Sequence, residues 1–282
     1  MNATPPPPPA EPPPATGTDA LSHGLRFALG TLTVLPVRVP RFDRYTARQG
    51  MLCAPAAGLV VGLAACLTCW VLLLLETGRL LTAVLTVAVP ALLTRALHLD
   101  GLADVADGLG SRKPPAEARE VMKRSDIGPF GVLALLFVVL TQIAALDELL
   151  GHGRAYALTC VVLAAVNART ALTWACRAQG PPAARAEGLG AVVVRTVPLR
   201  QALAVAAVVA FASALAGALA AEGARAAGTV ACGCSVVLAL NAAELTMWHC
   251  HRRFGGINGD VLGAVAETAG TVTLLVLAVA AP

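Results

Sequence analysis

The chain has 282 residues, of which 57% are hydrophobic and 13% charged, with a mean hydropathy of +0.72. Soluble domains carry about 25% charged residues, so this composition excludes a cytosolic globular domain, a disordered chain and a coiled coil, and it reads as a polytopic membrane protein. A formal net charge of +4 gives no reason to expect a nucleic-acid partner.

Residues 1–20 read as a disordered tail. Pro5–Pro9 and Pro12–Pro14 can neither pair as strand nor coil as helix. A charged n-region with an apolar h-region and cleavage site is not visible, so no signal peptide is expected. Residues 21–282 are expected to form a single membrane-embedded catalytic domain.

The moderately apolar stretch Leu21–Arg38 is broken at Leu35-Pro36-Val37 and is too short to span, so it predicts an interfacial or re-entrant piece. Seven apolar runs follow, near Met51–Leu75, Leu80–Leu97, Phe130–Leu146, Tyr156–Ala175, Gln201–Ala221, Ala227–Trp248 and Val261–Ala281. At a rise of about 1.5 Å per residue, such runs cross a hydrocarbon layer of roughly 30 Å. The fold class is therefore all-α, a helix bundle of about seven transmembrane spans.

Basic residues set the expected orientation. Of 21 Lys and Arg, 17 fall before the first run and between runs two and three (counting Arg95 at the end of run two), four and five, and six and seven. The alternate loops hold only Arg79, Arg154 and Arg225, and Arg169 lies within the fourth run. Such a bias predicts seven spans with the N-terminus and the basic loops in the cytoplasm.

The most informative stretch is His98-Leu99-Asp100-Gly101-Leu102-Ala103-Asp104-Val105-Ala106-Asp107-Gly108. On a helix, Asp100, Asp104 and Asp107 fall within a sector of about 60°, so their carboxylates point one way and repel each other. A hard divalent cation such as Mg2+ or Mn2+ would relieve that repulsion. Gly101 and Gly108 are expected to clear bulk so that a large ligand can approach the backbone. A solvated acidic helix end, the bland alternative, needs neither the glycine pair nor the shared face.

Further candidates lie on the same predicted membrane face. Ser125, Asp126 and Gly128 follow Lys123-Arg124; Arg185, Glu187, Gly188 and Gly190 lie between runs four and five; Gly255, Gly256, Asn258, Gly259 and Asp260 open the last run. Each group alone reads as loop punctuation. Together with the acidic cluster they suit a metal-bound phosphate ester, with Arg binding phosphate oxygens. Arg169 is expected to face the bundle interior and lean toward the phosphates, with a structural Arg169–Glu244 pair as the alternative. The eight cysteines read as small apolar packing residues, and His249-Cys250-His251 as an interfacial polar patch.

The chain resembles the cobalamin synthase family, the adenosylcobinamide-GDP ribazoletransferases. The resemblance runs in order through Phe27–Val37, His98–Gly108, Ile127–Gly131, Glu187–Gly190 and Gly255–Ala264, and Arg169 occupies the place of a family Arg. One motif departs. Around Ser125 the acid and base have traded places, giving Met122-Lys123-Arg124-Ser125-Asp126-Ile127-Gly128, and this sets Asp126 apart from the metal ligands.

The resemblance implies an enzyme that joins adenosylcobinamide-GDP to α-ribazole or its 5′-phosphate and releases GMP, using Mg2+ in the cytoplasmic membrane. On this reading Asp100, Asp104 and Asp107 hold the metal and do the chemistry. His98, Gly101, Gly108, Ser125, Asp126, Arg169, Arg185, Glu187, Asn258 and Asp260 contact substrate. The implied partners are the two substrates and the lipid bilayer, with no nucleic acid and with self-association left open. Two other classes compete: a CDP-alcohol phosphatidyltransferase-like enzyme, and a polytopic transporter using the carboxylates as a relay. Against the first, no later aspartate pair at four-residue spacing exists; against the second, the acids cluster at span ends beside basic loops rather than near the midplane.

Overall fold

In a computed structural model the described residues are 17–39, 41–124, 126–221 and 223–281. Among them are twelve helices and no strands: α1 (Gly17–Leu32), α2 (Arg44–Leu52), α3 (Ala54–Leu74), α4 (Arg79–Leu93), α5 (Leu97–Gly110), α6 (Pro115–Val121), α7 (Pro129–His152), α8 (Arg154–Ala175), α9 (Leu189–Val193), α10 (Leu199–Ala220), α11 (Arg225–Phe254) and α12 (Gly259–Val279). Six of these, α3, α7, α8, α10, α11 and α12, are long and apolar enough to cross a membrane. The chain is an all-α, multi-pass membrane protein.

The second apolar run is not the straight span to Leu97 that its hydropathy predicts. Helix α4 stops at Leu93, after about 22 Å. Pro90 lies inside it, and Arg95 and Ala96 both take left-handed backbone, at φ 52° and 56°. Two successive non-glycine residues in that region end a helix, and α5 leaves at 89° to α4. The acidic helix therefore lies across one end of the bundle instead of continuing through it. Other boundaries shift less: α7 runs on to His152 rather than Leu146, and α11 takes in Arg252 and Arg253.

Helix starts and stops follow their local chemistry. The Asp43 carboxylate caps α2 through the Thr46 amide at 2.7 Å, and Asn258 caps α12 through the Val261 amide at 3.0 Å. Gly255, left-handed at φ 83°, ends α11 just after its basic last turn. The stretch read as interfacial is α1, which buries Phe27, Ala28 and Leu32 against α2 and α3. It begins at Gly17; residues 1–16, the greater part of the proline-rich tail, lie outside the described residues.

Helix α8 is the central post, packed against α3, α7, α10, α11 and α12. The basic segments converge at one end. Arg44 donates to the Ala191 and Val194 carbonyls at 2.7 and 3.0 Å, Arg119 to the Phe254 carbonyl at 2.6 Å, and Arg253 to the Lys113 carbonyl at 2.5 Å. Arg79 lies 3.7 Å from Asp147 where α3 turns into α4, at the opposite end. All eight cysteines are free and five are buried, as small packing residues should be.

Candidate active site

Helix α5 is clamped between the first turns of α7 and α12. A Cβ at Gly101 would stand 2.6 Å from the Asp260 carbonyl oxygen, and one at Gly108 would meet Met122 at 2.8 Å and Phe254 at 3.1 Å. These glycines therefore let helices approach each other. The expectation that they clear room for a ligand is corrected: the space is filled by protein.

Asp100, Asp104 and Asp107 have unequal surroundings. Asp107 is buried, and its carboxylate accepts hydrogen bonds from the Gly128 and Gly131 amides at 2.7 and 2.9 Å. Those amides open α7 and have no partner within it. Asp104 is half-buried, and burial first, then the charges of Asp260, Asp100 and Asp107, push its carboxyl up to about 7, with Arg185 offsetting them in part. Asp100 is exposed. Asp260, in the first turn of α12, thus joins the acidic group across the helix interface.

The segment between α8 and α9 brings a cation to this group. Ala184 donates to the Ile257 carbonyl at 2.8 Å, and Ile257 donates to the Pro182 carbonyl at 2.8 Å. A Cβ at Gly256 would stand 2.6 Å from the Pro182 carbonyl oxygen, so the two strands of chain meet only with glycine there. The register sets Arg185 4.0 Å from the Asp260 carboxylate while it donates to the Arg119 carbonyl at 3.2 Å. Asn258 donates to the same Asp260 oxygen at 2.6 Å. Glu187 and Asn258 line the cleft beside Arg185, Asp126 is exposed before α7, and Ser125 lies outside the described residues.

Three acids with one guanidinium among them carry surplus negative charge, and their oxygens suit a hard divalent cation. Among the described residues no three His, Cys, Asp or Glu side chains converge closely enough to hold an ion alone. Asp100, Asp104 and Asp260 are the carboxylates here that could hold Mg2+ together with water and substrate phosphate.

Arg169 is enclosed by the bundle. It is 4% exposed, lines a cavity of about 60 Å³ inside the bundle, and lies within electrostatic reach of Glu267 and His98. The alternative Arg169–Glu244 pair is corrected: Glu244 accepts from Arg177 at 2.8 Å and from Trp174 at 2.9 Å. Sequence reasoning missed Glu267, whose carboxylate accepts from Gln142 at 3.1 Å. Its signal was available, because a lone acid within the last apolar run calls for a buried partner.

Comparison with known proteins identifies the family. A profile of the cobalamin-5-phosphate synthase family matches residues 24–278. An adenosylcobinamide-GDP ribazoletransferase of Frankia casuarinae is 40% identical over 270 residues, covering 91% of this chain and 95% of its own. One of Nocardioides sp. is 42% identical over 252 residues, covering 89% and 96%, and one of Corynebacterium efficiens is 37% identical, covering 93% of each. No solved structure matches. The chain belongs to the cobalamin-5-phosphate synthase family, and it is a multi-pass membrane transferase of cobalamin biosynthesis.

Proposed function

We propose that this transferase joins adenosylcobinamide-GDP to α-ribazole, or to its 5′-phosphate, and releases GMP. The observation that carries the reading is the acidic group of Asp100, Asp104 and Asp260 beside Arg185, at one end of a membrane bundle. It joins charge-bearing groups for phosphate to carboxylates able to take a proton. The relatives named for this activity supply the substrates.

In the proposed step a ribose hydroxyl oxygen bonds to the phosphorus that carries the cobinamide arm. The bond from that phosphorus to the oxygen bridging it to GMP breaks, and GMP leaves with the electron pair. Arg185 holds phosphate oxygens by charge-assisted hydrogen bonds. An aspartate of the group accepts the hydroxyl proton. Asp100, Asp104 and Asp260 would hold Mg2+, which would neutralise charge on the phosphates. Asp107 keeps α5 fixed against α7, so that its neighbours are aimed correctly.

The site faces the cytoplasm of the inner membrane in this proposal, because the basic segments gather at the same end. Membranes bearing the chain, supplied with both substrates, should release GMP with Mg2+ present and stop when EDTA removes it. Undiminished release in EDTA contradicts the metal assignment. No release under any condition contradicts the transfer itself.

A further inference from the structure

Two cavities meet at the acidic group, and Asp260 belongs to both. The first is a chamber of about 150 Å³ walled chiefly by Leu32, Met51, Leu97, Leu172 and Val193, with Asp100 and Asp260 at its edge. The second is a cleft of about 190 Å³ formed by Arg185, Glu187, Asn258 and the glycine-rich segment around Gly188. Their chemistries differ. The cleft offers the Arg185 guanidinium, the Asn258 amide and backbone groups able to hold phosphate oxygens, beside the Glu187 and Asp260 carboxylates. The chamber offers aliphatic walls and no cation, on the scale of cavities that take an aromatic ring.

His98 supplies a second, independent sign. It lines the chamber, is 2% exposed, and neither ring nitrogen has a hydrogen-bond partner. Buried polar groups are almost always satisfied. A ligand with an apolar body and a polar edge would satisfy the ring and fill the walls together.

We infer that the chamber is the subsite for the aromatic base of the acceptor nucleoside, and that the cleft takes the diphosphate of the donor. The assignment rests on the transfer reading above and sets the two substrates on either side of Asp260. An acceptor seated in the chamber brings its ribose to the shared wall, where the donor phosphorus arrives from the cleft.

Leu97 is 44% exposed and lines the chamber, so a larger side chain there narrows the chamber without repacking the core. In the full-length protein, Leu97→Trp should raise KM for α-ribazole at least about tenfold and leave KM for adenosylcobinamide-GDP within about twofold. Arg185→Ala should do the reverse. Equilibrium binding of α-ribazole to the detergent-solubilised protein, with no donor present, should weaken by the same factor in Leu97→Trp and in His98→Gln, the second variant covering failure of the first to accumulate. Unchanged α-ribazole binding in the variants, or a rise in donor KM with Leu97→Trp, overturns the assignment. Binding that is sensitive to these residues in a protein that releases no GMP supports the chamber and overturns the transfer reading alone.

Discussion

Asp107 accepts the amide of Gly128 at 2.7 Å, and so a residue of the acidic helix closes the start of a membrane-spanning helix. The Gly131 amide binds the other carboxylate oxygen at 2.9 Å. Asp107→Ala leaves both amides unsatisfied at a helix N-terminus that favours negative charge. The expected loss is about 1.5–3 kcal/mol of stability, read as a lower melting temperature of the purified protein in detergent. Asp107→Asn should lose less, because its amide oxygen keeps one acceptor. Equal melting of Asp107→Ala and the parent protein would show that the contact carries no weight.

Asp100, Asp104 and Asp260 should respond in the opposite way. Their charges oppose one another, and burial and their mutual repulsion already push the Asp104 carboxyl up to about 7. Replacement of any one with Asn should cut GMP release at least about a hundredfold, or roughly 2.7 kcal/mol in the barrier, while melting temperature holds or rises. Asp126→Asn, at an exposed position before α7, should be milder. Near-normal turnover in all three Asn variants would reduce the acidic face to a solvated helix end.

The contrast between these aspartates marks what sequence can and cannot disclose. Helical spacing put Asp100, Asp104 and Asp107 on one face, and hydropathy found every long span, because both signals are local and periodic. Asp107's partners lie more than twenty residues away, and Asp260 reaches Asp104 only because α5 bends flat across the bundle end. That bend depends on Arg95 and Ala96 adopting left-handed backbone, which neither residue type favours. The glycines of the signature were legible as necessary but not as packing surfaces, since their neighbours belong to other helices.

Arg169 and Glu267 give a third test. Arg169 is buried and Glu267 partly buried, and each charge offsets the other's burial. Arg169→Leu or Glu267→Leu alone should lower the melting temperature and reduce accumulation in membranes. The double replacement should recover much of that loss, and melting of all four proteins provides the cycle that measures it. Strict additivity would show that the two residues do not act as a pair.

Orientation is checked by reporter fusions. Fusions after Arg124, Arg195 and Arg253, in segments that meet at the site end of the bundle, should report cytoplasm. Those at Gly151 and Gly223 should report the opposite side. A cytoplasmic signal at Gly151 would overturn the assignment of faces.

The central claim is that one phosphorus is transferred from a diphosphate to a ribose hydroxyl, and product stoichiometry tests it most directly. Membranes bearing the chain are given adenosylcobinamide-GDP, α-ribazole and Mg2+, and guanine nucleotides and corrinoids are quantified together. The account predicts GMP and a ribazole-bearing corrinoid that retains one phosphate, formed in equal amounts and only when α-ribazole is present. GDP as the released nucleotide, or GMP released at the same rate without α-ribazole, would contradict it.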